Sequence, residues 1–451
     1  MTGMTGIFRA LTVAVFAAAI LGGCAETSLP EATGKGTINM INAMVASPSV
    51  GFLIEERALG AVAYKGAHGA QSFDDLTYNF NFEYFVLGDT TPIRTATVLL
   101  DVVADNEYTF VLTGSVTAPD LTLWERPQRD WDDTETVFEA AIAHLSPALG
   151  DIDVYFATTG TTPVLGEERA KLSFGERLPE IDLENGEYEF IITARDDPAT
   201  ILYQSGPVTY SARVSYVQAI FDADASITGN IAVRSISSLG ISSELPDANS
   251  LPTVRTVHAA FGTVNLDIYA DEDFTAPIFS DLGFGESTGD LPVDEGTLLY
   301  TYTAVGNPGV IIDEESQLVP RGRRISTVLA GLPGTDLSRI ILTDDRRSIE
   351  THANLRLIQA AANFEALDLY FVDAGTDITD INPTFPGMPF GFASDFVAQM
   401  AGSYDFILTL PDEKDPIATP LQLDLVEGDV VEALMIDTVD PTIVEVAITS
   451  F

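Results

Sequence analysis

Residues 254–270 read VRTVHAAFGTVNLDIYA: a β-branched run, a Phe-Gly-Thr break and a second run ending in Asp-Ile-Tyr. Val, Thr and Ile favour extended backbone and Gly favours a turn, so the stretch predicts two short strands joined as a hairpin. The same shape returns twice. Residues 138–156 read FEAAIAHLSPALGDIDVYF, and residues 355–371 read LRLIQAAANFEALDLYF. His144, His258 and Gln359 each precede an Asp by nine residues, at Asp153, Asp267 and Asp368. A Tyr follows two residues later in each, at Tyr155, Tyr269 and Tyr370. Residues 38–54, INMINAMVASPSVGFLI, repeat the shape loosely, with Asn42 in the His place and Gly51 and Leu53 in those of Asp and Tyr. Constant internal spacing at a long period marks tandem domains.

A second landmark supports the partition. Gly186, Gly296 and Gly402 each open an aromatic strand, 42, 38 and 43 residues after His144, His258 and Gln359. A Gly there suits the positive φ of a hairpin turn. Short strands punctuated by Gly, Pro, Asn and Asp fill the rest, and no long amphipathic helix pattern occurs after the N-terminal segment. The fold class expected is all-β: four tandem β-sandwiches at 36–133, 134–251, 252–352 and 353–451, with 239–251 as a linker. The aromatic stripe Tyr78, Phe80, Phe82 and Tyr84 reads as a core face before it reads as a sugar platform.

Val254, Arg255, His258 and Ala259, then Asp267 and Tyr269, then a Gly-led aromatic strand, resemble a bacterial envelope family, domain of unknown function 4397. That resemblance implies tandem immunoglobulin-like sandwiches and carries no established activity. The second and fourth units share it, with Gln359 in place of the His, and the first departs most.

The N-terminus has its own logic. Arg9 precedes a twelve-residue apolar run at 10–21, too short to span a bilayer. Leu21-Gly22-Gly23-Cys24 follows and resembles a bacterial lipobox. The resemblance implies that residues 1–23 are a cleaved lipoprotein signal peptide and that Cys24 is lipidated. Several acyl chains on one residue give stable membrane anchoring. Ala25, in place of an Asp, fits outer-membrane sorting, and the small polar run to residue 35 reads as a tether. Cys24 is the one Cys in the sequence, so the body must be held by its cores without disulfides. The hydrophobic fraction of 46% is sufficient for that. With 22 basic against 67 acidic side chains the formal charge is −45, which repels nucleic acid and keeps the chain soluble in salt.

Period two puts Asp267 and Tyr269 on one face of their strand, and His258 across a short hairpin would reach them. A His held by an Asp belongs to hydrolase chemistry, but no nucleophile motif accompanies it, and Gln359 cannot act as a base. The recurring His, Asp and Tyr are therefore expected to hold the fold together. Four His without close pairs argue against zinc or copper. Asp222, Asp224 and Ser226 alternate as a calcium loop requires, though the Gly and Glu of an EF-hand are missing. No cofactor is expected beyond that calcium candidate. Residues 381–392, INPTFPGMPFGF, read as a Pro-aromatic loop packed over its own sandwich or as a contact patch.

The leading expectation is a non-enzymatic outer-membrane lipoprotein, an acidic sandwich array acting as stalk, adhesion or scaffold protein. Its partners are the membrane through Cys24 and an envelope or extracellular protein or glycan. The alternative is a glycan- or peptide-binding module with calcium, and the weakest reading is a hydrolase using His258 and Asp267.

Overall fold

The computed structural model describes residues 31–85, 91–332, 334 and 337–451, so the apolar N-terminal run and Cys24 lie outside the described residues. Strand follows strand from Lys35 to Ser450, and no helix occurs among the described residues.

The first sandwich contains β1 (Lys35–Asn42), β2 (Val50–Ile54), β3 (Arg57–Val62), β4 (Ala67–Asp74), β5 (Thr77–Tyr84), β6 (Ile93–Asp101), β7 (Asn106–Ser115) and β8 (Ala118–Pro127). One sheet runs β4-β1-β7-β8 and the other β3-β2-β5-β6. β1 and β7 are parallel neighbours, and the other pairs are antiparallel. The second sandwich contains β9 (Val137–His144), β10 (Ile152–Ala157), β11 (Ala170–Leu172), β12 (Arg177–Glu184), β13 (Gly186–Ala194), β14 (Asp197–Gln204), β15 (Val208–Tyr210), β16 (Ser215–Asp222), β17 (Ile231–Ser237) and β18 (Ser242–Leu245). The third contains β19 (Thr253–Ala260), β20 (Leu266–Ala270), β21 (Phe279–Leu282), β22 (Leu291–Pro292), β23 (Gly296–Ala304), β24 (Asn307–Val319), β25 (Arg324–Gly331) and β26 (Ser338–Thr343). The fourth contains β27 (Ala353–Gln359), β28 (Ala366–Asp373), β29 (Phe385–Pro389), β30 (Val397–Gln399), β31 (Gly402–Thr409), β32 (Leu421–Leu425), β33 (Val430–Asp437) and β34 (Val444–Ser450).

The third and fourth sandwiches repeat the strand order of the first, and the second adds β15 and β18 to it. The first unit therefore shares the topology although its signature is degraded. β18 lies inside the stretch expected to be a linker and pairs with β17 instead.

Two expectations about the signature change. β9 and β10, like β19 and β20 or β27 and β28, lie in opposite sheets. The signature is thus an arch across the core, not a hairpin. β12 and β13, β22 and β23, and β30 and β31 also lie in opposite sheets, so the Gly-led strands follow a crossover rather than a hairpin turn. Gly296 does have a positive φ, of 125°. A Cβ at Gly402 would meet the Tyr404 ring at 3.3 Å, and one at Gly186 would lie 3.9 Å from the Tyr188 ring. Close approach of an aromatic two residues on accounts for Gly402, whereas at Gly186 the ring leaves ordinary room and the φ of 159° is what a side chain would oppose.

Alternation sets each core. Leu266 and Ile268 join Val254, Tyr300, Tyr302 and Leu329 between the third sandwich's sheets. Phe80, Phe82 and Tyr84 join Phe52 and Phe110 in the first core, with Tyr78 packed against it. The aromatic stripe is therefore a core face.

The sandwiches pair back to back. Ile41, Ala43 and Val111 of the first pack on Ala143, Leu145, Ala219 and Phe221 of the second. Val257, Ala259 and Val328 of the third pack on Ile358, Ala360, Leu434 and Ile436 of the fourth. These are equivalent positions of the first and seventh strands of the common order, so one face is used in both pairs. This explains why β9, β19 and β27 are buried on both sides: one side faces the sandwich core and the other the paired sandwich. The pairs also touch. Thr228 N–H donates to Gly322 O at 3.0 Å, and Glu350 N–H donates to Ala46 O at 2.8 Å.

Candidate functional site

Asn42, His144, His258 and Gln359 are all fully buried at the end of the first strand of their sandwich. Each accepts the amide N–H two residues ahead and donates into the arch that follows. Met44 N–H donates to Asn42 Oδ1 at 3.1 Å, and Ala361 N–H to Gln359 Oε1 at 2.7 Å. Ser146 N–H and Ala260 N–H donate to the Nδ1 of His144 and of His258, at 3.4 and 3.3 Å. The opposite nitrogen, Nε2, then carries the proton and donates to Gly150 O at 3.0 Å or to Val264 O at 3.3 Å. Gln359 gives its amide protons to Phe364 O of its arch, and Asn42 gives its own to Ser47 Oγ in the arch and to Val62 O at the end of β3. One acceptor and one donor are what the arch needs, and Asn, neutral His and Gln all present both. Burial pushes the His258 ring below its ordinary titration range, and the bond to Val264 opposes that shift. Both its nitrogens are engaged by the backbone.

The partner Asp sits elsewhere. Since Leu266 and Ile268 face the core, Asp267 points to the outer side of its sheet. It accepts Asp281 N–H at 3.0 Å and Gly306 N–H at 2.8 Å. Both donors have positive φ, 61° and 69°. Asp281 lies in a bulge of β21, and Gly306 in the turn between β23 and β24. Asp368 accepts from Gly387 in the matching bulge of β29, at 2.6 Å, and Asp153 from Asp196 in the β13–β14 turn, at 2.9 Å. The His–Asp pair that the nine-residue spacing suggested does not form, because the two side chains belong to opposite sheets. The Tyr shares the outer face. Tyr370 accepts from Lys414 Nζ at 2.9 Å, Tyr269 packs 5.2 Å from Phe274, and burial raises Tyr155 above its usual range.

The calcium candidate has another occupation. Lys65 of the first sandwich reaches Asp224 Oδ1 at 2.8 Å and Ser226 Oγ at 3.1 Å. Asp222 takes Ser146 Oγ–H and the Ala148 amide. Burial pushes the Asp224 carboxyl up, and Lys65 with Ser226 overrides it, so the group sits below the ordinary carboxylate range. The protein's own ammonium thus holds Asp224 Oδ1 and Ser226 Oγ, while Asp224 Oδ2 is buried without a partner. Among the described residues no group of three or more His, Cys, Asp or Glu is placed to hold a metal ion. In the Pro-aromatic loop, Met388, Phe385 and Phe392 pack on the fourth core, and Phe390 packs at the interface with the third sandwich.

The two pair interfaces differ. In the third-to-fourth interface Arg255 pairs with Glu432, and Arg356 pairs with Asp344, all four nearly without solvent exposure. Asp344 also takes Ser326 Oγ–H and Arg346. In the first-to-second interface the register-equivalent positions of Arg255, Glu432 and Arg356 hold Asn39, Val217 and Ala141. A cavity of about 60 Å³ remains there, walled by Trp124, Arg126, Arg177, Glu107, Glu180 and Ser215 among others. The Arg177 guanidinium lies 5.0 Å from the Trp124 ring centre and bonds to Glu180. Arg126 pairs with Glu107 and with Glu139. Burial raises the Glu139 carboxyl, but Ser215, Arg126 and Arg129 together hold it below its usual range. The Nε of Arg177 is buried and meets no acceptor. No sequence signature led to this cavity. Charged residues inside apolar strands, such as Arg255 in VRTV and Glu432 in VVEALMI, were the available sign of a buried partner.

The family described as Domain of unknown function (DUF4397) matches residues 36–155 and 252–370. The matches start 216 residues apart, at 36 and 252, so each covers one sandwich and the first arch of its paired neighbour. No curated protein matches the chain. Among solved structures, one titled "The Bacillus anthracis TIE protein" is similar over 90% of this chain and 69% of that one, at 10% identity and a TM-score of 0.14.

Proposed function

This chain belongs to the DUF4397 family, and from that premise we propose that it is a non-enzymatic scaffold of the bacterial envelope, held at the outer membrane by acyl chains on Cys24. The observation that carries the reading is the fate of the recurring polar residues. Asn42, His144, His258 and Gln359 are interchangeable because each satisfies backbone groups of an arch, and the recurring Asp holds bulges and turns. Side chains engaged in this way by the backbone are unsuited to serve as acid, base or nucleophile. Two further features support a scaffold. The sandwiches pair through extensive apolar faces, which gives a stiff body rather than beads on a string. A charge of −45 keeps such a body soluble and off anionic surfaces. Its partners would be proteins or glycans of the envelope.

The anchor is tested by expressing the chain in a Gram-negative host, fractionating membranes and weighing the N-terminal peptide. A triacylated Cys24 in the outer-membrane fraction, released to the soluble fraction by Cys24→Ser, is the expected result. An unmodified Cys24 in a soluble protein would refute it.

A further inference from the structure

We propose that the cavity between the first and second sandwiches binds one neutral sugar ring, free or at the end of a glycan chain. The inference goes beyond the scaffold reading and does not rest on it. Its first support is the comparison within the molecule. The place that the Arg255–Glu432 pair fills in the other interface is lined here by Asn39 and Val217, and space remains between them and their neighbours. Protein interiors are close-packed, so a gap at one of two equivalent seams calls for an occupant.

Size, polarity and charge then narrow the occupant. A water needs roughly 10–15 Å³ in such a measure, so the cavity of about 60 Å³ holds about four to six waters, the bulk of a single sugar ring. Its wall is polar and aromatic together. Trp124 lies in the wall with the Arg177 guanidinium 5.0 Å from its ring centre, so an apolar edge of a sugar ring would meet indole beside a polar group that can bond its hydroxyls. Arg177 Nε is buried without an acceptor, and a ligand hydroxyl oxygen would give it one. Charge in the wall is matched: Arg126 pairs with Glu107, and Arg177 bonds to Glu180, while Glu125 turns to Asn106 at the exposed edge. An anion would face those carboxylates and the −45 of the chain, and a cation would have to displace an arginine. A neutral polyol suffers neither cost. Gly69 and Gly240 line the cavity with their backbones close together: a Cβ at Gly240, where φ is 78°, would meet Gly69 Cα at 3.5 Å.

Trp124 reports on its own cavity. The sequence has two Trp, so Trp131→Phe leaves Trp124 as the sole emitter. D-glucose and N-acetyl-D-glucosamine are titrated into that variant of the full body. A saturable change in emission with a millimolar Kd is expected, at least about tenfold weaker for sodium glucuronate and for glucosamine hydrochloride. Asn39→Arg with Val217→Glu, which installs the ion pair of the other interface, should abolish the response while the far-UV spectrum is retained. Should that double variant not fold, Arg177→Lys removes the Nε donor and should weaken binding about tenfold. The β-1,4 tetramer of N-acetylglucosamine separates the sources: binding as tight as the monomer means a chain end enters, and loss of binding means a free sugar. No saturable response to either neutral sugar at about 100 mM, or equal binding of the charged sugars, would overturn the proposal.

Discussion

The two pair interfaces of this protein share strands, register and apolar seam, yet differ at their polar positions. The third-to-fourth seam buries Arg255, Glu432, Arg356 and Asp344 as a network. In the first-to-second seam the charges move to the margins, with Lys65–Asp224 on one side and Arg126–Glu139 on the other. The apolar residues therefore suffice to set the geometry, and the charged ones are a variable layer on it. A buried ion pair gives little net stability, because desolvation offsets attraction, but it penalises any arrangement that leaves one partner alone. The same face can thus be closed by charge in one pair and left hollow in the other.

The largest expected effect breaks that comparison directly. Glu432→Val leaves Arg255 buried without its carboxylate and should cost about 3–5 kcal/mol in urea unfolding. Arg255→Asn with Glu432→Val installs the first seam's residues in the second and should recover more than half of that loss. A double variant as damaged as the single would show that the network determines the seam. On the other side, Lys65→Ala leaves Asp224 with Ser226 alone and should cost about 3 kcal/mol, slightly less because the pair is a little more exposed. An unchanged midpoint would mean that the pair is screened by solvent.

The smallest effect concerns the arch, where the pairs agree. His258 titrates lower in the fold than its ordinary 6.5, chiefly through burial. Between those values the unfolded chain binds more protons, so stability rises with pH and falls as the medium is acidified through that window. His258→Gln, the residue of the fourth unit, should remove that part of the slope and change stability at pH 8 by about 1 kcal/mol or less. His352, also lowered by burial, keeps a residual slope in the variant. A variant that loses several kcal/mol at pH 8 would mean that the ring does more than satisfy the arch.

Much of the fold was legible because it depends on local pattern. The strand run at 254–270 and its echoes follow from period-two alternation and turn residues, and they locate the sandwiches even where Asn42 replaces the His. What pairs with what was not legible. A strand, a break and a strand read equally as a hairpin or as an arch, since both satisfy the same alternation, and only the sheet partners of β19 and β20 distinguish them. That one ambiguity produced the supposed His258–Asp267 pair. Asp222, Asp224 and Ser226 read as a calcium candidate along the chain, and the Lys65 ammonium on Asp224 is not legible there, because it lies 159 residues away in sequence. The cavity beside Trp124 is invisible for the same reason, since its walls come from two sandwiches.

By itself the sequence determined the strands, their repetition, the acidic surface and the polar residue each arch requires, because these are set by neighbours along the chain. The tertiary structure alone decided that the sandwiches stack back to back, that one seam is filled with charge and the other hollow, and that the signature His and Asp never meet. Those outcomes depend on which surfaces exclude water together, and contact between distant segments is a property of the packed chain rather than of any stretch of it.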